Sequence, residues 1–97
     1  MAILTNSIIT AYCHCVVCCG PKATGITASG VKPVEGTTIA APRSVPFGTK
    51  VRINNRVYTV QDRTALRFDG RWDIYMKSHR TAKQFGVKHK PVIVGLK

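Results

Sequence analysis

The chain has 97 residues, 15 Lys and Arg against 4 Asp and Glu, a formal net charge of +11 and a hydrophobic fraction of 44%. Such a length reads as one domain over residues 1–97 with one modest core, and the composition excludes a disordered tail. No apolar run approaches the roughly 20 residues that span a bilayer.

Residues 4–12 are rich in β-branched and apolar side chains and read as a strand that runs straight into a cysteine cluster. A loop over residues 21–33 follows, punctuated by Gly25 and Gly30. Residues 37–41 form a short apolar strand ended by Pro42, and residues 45–48 a turn. Residues 49–53 alternate polar and apolar, as a half-buried strand does. Asn54-Asn55 suits a tight hairpin turn, and residues 57–60 return as the partner strand, delivering Asp62 at their end. Residues 72–76 are the next strand, with Trp72, Ile74 and Met76 on one face and Asp73 and Tyr75 on the other. Trp72 is expected in the core. Ser78 is a helix N-cap and Gly86 a stop, predicting a short helix over 79–85 with Ala82 and Phe85 buried. Residues 91–96 are the last strand. Short strands in steady succession with one small helix predict an all-β fold, a small barrel.

Three of the four acids, Asp62, Asp69 and Asp73, fall within twelve positions, interleaved with Arg63, Arg67 and Arg71. Carboxylates gathered this way in a strongly basic chain mark either a site where the charge state of an acid matters or a loop tied down by ion pairs. The excess of Lys and Arg implies an anionic partner: a cell-wall polymer, an anionic membrane surface or nucleic acid. No zinc-finger, helix-turn-helix or RNA-binding signature accompanies the charge, so nucleic acid is the least favoured. Residues 1–10 lack the basic and long apolar segments of a secretory leader, so the reading expects a chain acting where it is made, one exported by another route, one with its leader removed, or one borne on a virion.

Cys13, Cys15, Cys18 and Cys19 stand within seven positions, with His14 among them. Two readings stay open: disulfides, two at most with three connectivities, or partly free thiols; and a zinc ion, which takes thiolate and imidazole ligands. A nucleophilic role is not expected, because no base is placed beside a thiol; His79 and His89 read as solvated.

The ordered series Thr10-Ala11-Tyr12, Gly25-Ile26-Thr27-Ala28-Ser29-Gly30, Ile39-Ala40, Pro46-Phe47-Gly48-Thr49-Lys50-Val51, Gln61-Asp62 and Asp73-Ile74-Tyr75 resembles the 3D domain, named for three aspartates. That domain occurs in membrane-bound lytic transglycosylase A and in stationary-phase survival proteins. It is related to the rare lipoprotein A domain and to barwin and expansin barrels. The resemblance implies a six-stranded double-psi β-barrel and cleavage of peptidoglycan between N-acetylmuramic acid and N-acetylglucosamine, with no cofactor required. It implies Asp73 as catalytic acid and Asp62, eleven positions earlier, as its supporting neighbour. Tyr12, Thr27, Ser29, Asp69 and Tyr75 are the expected substrate contacts. The alternative is a non-catalytic barrel that binds wall glycan or serves as a structural part of a larger assembly, such as a virion. The chain departs from the family pattern in two places: no acid stands between Ile39-Ala40 and the Pro46-Phe47-Gly48 turn, and Asp62 is followed by Arg63-Thr64-Ala65 rather than Thr-Gly-Gly.

Overall fold

The structure, a computed structural model, describes residues 3–13, 26–64 and 70–96. Among the described residues, six strands and one helix follow in the order β1 (Ile3–Tyr12), β2 (Thr38–Ala41), β3 (Lys50–Ile53), β4 (Arg56–Arg63), β5 (Arg71–Tyr75), α1 (His79–Phe85) and β6 (Lys88–Leu96). The strands close into a barrel in the spatial order β1-β5-β2-β4-β3-β6, the closed six-stranded all-β fold expected.

Strand β1 is shared between two neighbours. Its first part runs antiparallel to β6, pairing Ile3 with Val94 through Ile9 with Lys88. Its second part runs parallel to β5, pairing Ile8 with Arg71 through Tyr12 with Tyr75. A second parallel pair joins β2 to β4, while β2 and β5 are antiparallel. These two parallel pairs need long connections, which the chain supplies between β1 and β5 and, by way of β3, between β2 and β4. The β3–β4 hairpin turns at Asn54, whose φ of 56° lies in the left-handed region asparagine tolerates.

Alternation along the strands sorts the side chains into two faces. Ile9, Ile39, Ala41, Val51, Ile53, Tyr58, Val60, Trp72, Ile74 and Val92 fill the barrel interior. Trp72 lies in that core as expected, and Met76 and Phe85 pack against it. The helix begins and ends where its caps predict. The Ser78 side chain accepts a hydrogen bond from Thr81 N, and Gly86 follows the last turn with a φ of 70°. Among the described residues, no helix is long and apolar enough to cross a membrane.

Candidate functional site

The outer face of β1, β5, β2 and β4 carries the polar constellation. Its centre is Ala40 of β2, which pairs with Asp62 on β4 to one side and Asp73 on β5 to the other. Residues opposite one another in a sheet project from the same face. The two carboxylates therefore stand on either side of a small, 1% exposed side chain that leaves room between them.

Strict alternation alone does not place Asp62 there. Val60 points into the barrel beside Ile39, so two residues on, Asp62 would also point inward. The β2–β4 register shifts between Ile39 and Ala40, which pairs Ile39 with Val60 but Ala40 with Asp62. Gln61 is the extra residue of this β-bulge, and the bulge turns Asp62 outward. Strand β4 consequently continues through Arg63, beyond the end expected at residue 60. The Gln61 side chain anchors the bulge by accepting from Thr38 Oγ1 at 2.7 Å, and its carbonyl accepts from Ser29 N at 3.1 Å.

Asp62 is held from several sides. Oδ2 accepts from the Tyr12 hydroxyl at 2.7 Å. Oδ1 accepts from Ala28 N and from Arg63 N, each at 2.9 Å. This carboxylate ties the loop of residues 26–31 to the barrel wall and fixes the Tyr12 ring. Next to it, the Arg63 guanidinium stacks over the exposed Phe47 ring, 4.0 Å from the centroid.

Asp73 is placed differently. Among the described residues its carboxyl accepts one hydrogen bond, from Thr10 Oγ1 to Oδ1 at 2.9 Å. Thr10 faces it across the parallel β1–β5 pair. Burial pushes the Asp73 carboxyl above the usual carboxylate range; the Thr10 hydrogen bond and the Arg71 charge pull it back, and the Asp62 charge adds to the rise. Trp72, the preceding residue, projects to the opposite face, into the core. Tyr12 and Tyr75 line the same face with Ala40, their rings edge-to-face with centroids 5.7 Å apart. Burial raises the Tyr75 phenol, with Cys13 and Glu35 contributing.

The expected substrate hydroxyls divide. Thr27 is buried, 4% exposed; its Oγ1 donates to Val31 O at 2.8 Å and lies 3.1 Å from Ser29 Oγ. Those bonds shape the loop, whose reversal is completed by Gly30 at a φ of 90°. Tyr12 spends its hydroxyl on Asp62, so the structure makes it a support of that carboxylate. Asp69 lies outside the described residues, as do Phe68, Cys15, Cys18 and Cys19.

One expectation is corrected. His79 is not solvated: it is half-buried at the start of α1, with Nδ1 3.6 Å from the sulfur of Cys13, itself 2% exposed. The two residues are 66 positions apart, so no local spacing signals the contact. Glu35, the remaining acid, accepts from Lys77 N at 2.9 Å and ties the segment before β2 to the chain after β5.

The chain matches no protein-family model and no curated protein sequence. Among solved structures it is similar to MltA from E. coli, with a TM-score of 0.57 at 20% sequence identity. The match covers 71% of this chain and 26% of that one, so the chain spans about a quarter of the length of MltA. The likeness is one of fold, a closed barrel of the same kind.

Proposed function

We propose that this barrel cleaves the glycan strand of peptidoglycan as a lytic transglycosylase, with Asp73 as its single general acid and base. The observation that carries the reading is the contrast on either side of Ala40. Asp62 is engaged by Tyr12, Ala28 and Arg63, whereas Asp73 is half-buried, held above the usual carboxylate range and anchored through Oδ1 by Thr10. A hydrolase acting with water needs two working carboxylates. One carboxyl held above the usual carboxylate range beside one structural carboxylate fits a reaction in which the same group gives and then takes a proton.

In that reaction the Asp73 carboxyl donates its proton to the glycosidic oxygen as the bond to the muramic anomeric carbon breaks. The muramic 6-hydroxyl closes on that carbon and returns its proton to the Asp73 carboxylate. The product is an anhydro sugar, and no water is consumed. A raised carboxyl pKa keeps the acid form populated closer to neutrality, as general acid catalysis requires. The net charge of +11 suits a wall polymer rich in anions. The test is mass spectrometry of peptidoglycan incubated with the purified protein and with Asp73→Asn. Anhydro-muramyl products that vanish in the variant support the assignment. Full activity in Asp73→Asn removes it, and reducing-end products show a hydrolase instead.

A second reading, a non-catalytic barrel that binds wall glycan or builds a larger assembly such as a virion part, is favoured by the hydroxyls of Tyr12 and Thr27. Both are consumed within the fold rather than offered to a substrate. Retention on insoluble peptidoglycan without release of products supports it.

A further inference from the structure

We propose that Arg71 determines which bond of the glycan is presented to Asp73: its guanidinium takes the carboxylate that the muramyl ring carries on its lactyl ether. That contact sets the muramyl ring on the Arg71 side of Asp73 and the N-acetylglucosaminyl ring on the Tyr75 side. The inference rests on the glycan-cleaving reading and adds to it the register in which the strand lies.

The order of residues along β5 supplies the geometry. Trp72 and Ile74 point into the barrel, so Arg71, Asp73 and Tyr75 share the outer face. Same-face neighbours on a strand stand about 6.6–6.8 Å apart, which puts Arg71 on one side of the acid and Tyr75 on the other. A glycan laid along β5 with its scissile oxygen at Asp73 meets one residue with each of its two rings. Arg71 is half-buried and stands opposite Ile8 of β1.

The two ends of this row differ electrically. The Arg71 charge acts on the Asp73 carboxyl, whereas the Glu35 carboxylate acts on the Tyr75 phenol. A substrate carboxylate is attracted at the first end and repelled at the second. The neighbouring cations are placed elsewhere. Arg63 lies over the Phe47 ring and donates to Asp62 O at 3.5 Å. Lys77 stands past the end of β5 and is exposed.

The substrate differs along its length in the matching way. The muramyl ring bears a lactyl ether ending in a carboxylate, or in a peptide with carboxylates of its own, and N-acetylglucosamine bears no charge. A planar guanidinium grips a carboxylate through two parallel N–H donors, as the point charge of a lysine does not. A strand displaced by one ring offers Asp73 the other glycosidic bond, and then no carboxylate stands at Arg71.

The test uses glycan strands stripped of peptide, in two forms: with free lactyl carboxylates, and with those carboxylates converted to neutral methylamides. Release of anhydro-muramyl ends gives kcat/KM for each. The wild type should prefer the charged strand by about tenfold or more, as a charge-assisted contact gives. Arg71→Gln should abolish the preference, Arg71→Lys should keep part of it, and Lys77→Gln should leave it intact. Loss of the Arg71 charge also moves the Asp73 pH limb, but on both strands alike, so the ratio is free of it. Equal rates on the two strands by the wild type, or an unchanged preference in Arg71→Gln, overturn the proposal. So does an equal loss in Lys77→Gln, which would mark bulk charge. If Arg71→Gln does not fold, Arg71→Lys decides: an undiminished preference there overturns the bidentate contact. If the wild type cleaves neither strand, the cleavage reading falls by itself and equilibrium binding of the same two strands carries the test. A charge preference lost in Arg71→Gln then upholds the contact, and equal affinities overturn it.

Discussion

The two flanks of β2 carry the same chemical group and use it in opposite ways. On the β4 side, Asp62 accepts from two backbone amides and a tyrosine, and the charge is solvated by the protein itself. On the β5 side, Asp73 has the Thr10 hydroxyl and little else among the described residues, and burial disfavours its charge. Two carboxylates paired with one alanine therefore differ because of what surrounds them. The first organises a loop; the second is poised to hold a proton.

The sharpest way to break this comparison is to neutralise each side in turn. Asp73→Asn is expected to lower glycan cleavage by about 10²–10⁴-fold, the usual range for a general acid, with the fold retained; release of anhydro-muropeptides measures it. Asp62→Ala should act first on the fold. Leaving the Tyr12 hydroxyl and two amides without their acceptor is expected to cost about 1–3 kcal/mol in urea unfolding. If Asp73→Ala proved the more destabilising of the two, the division of labour would be reversed.

The pH dependence separates the flanks by sign. The acid form of Asp73 is the working form, so activity should fall as pH rises through its raised pKa. Thr10→Val removes the hydrogen bond that favours the carboxylate, and should move that limb to higher pH. Asp62→Asn removes a nearby like charge, and should move it to lower pH. Shifts in the same direction in both variants would contradict the electrostatic picture. Stability follows the same linkage. A carboxyl raised in the folded state contributes stability that is fully present below the ordinary value of 3.8 and is lost as pH rises through the folded value. Asp73→Asn should therefore gain stability relative to wild type as pH rises across that window, read as a growing difference in melting temperature.

The smallest expected effect lies at the rim. Phe47→Ala removes the ring beneath Arg63 and should cost about 0.5–1 kcal/mol, the value of an exposed cation–π contact, with the Asp73 pH profile unchanged.

Much of this molecule is written in local pattern. The caps at Ser78 and Gly86 bound α1, Asn54-Asn55 turns the β3–β4 hairpin, and period-two alternation assigns Trp72 and Ile74 to the core and Asp73 to the opposite face. Each of these depends on neighbours a few residues away, through backbone dihedrals and side-chain direction, so the amino-acid order alone determines them. The arrangement of the site does not. Asp62 reaches Asp73's face through a bulge at Gln61, and the bulge exists because β2, Thr38 and Ser29 hold it from elsewhere in the chain. Tyr12 meets Asp62 across 50 positions, and Cys13 meets His79 across 66. Strand register and barrel closure set those meetings. They are properties of long-range pairing, which a one-residue shift redirects from one face of the sheet to the other.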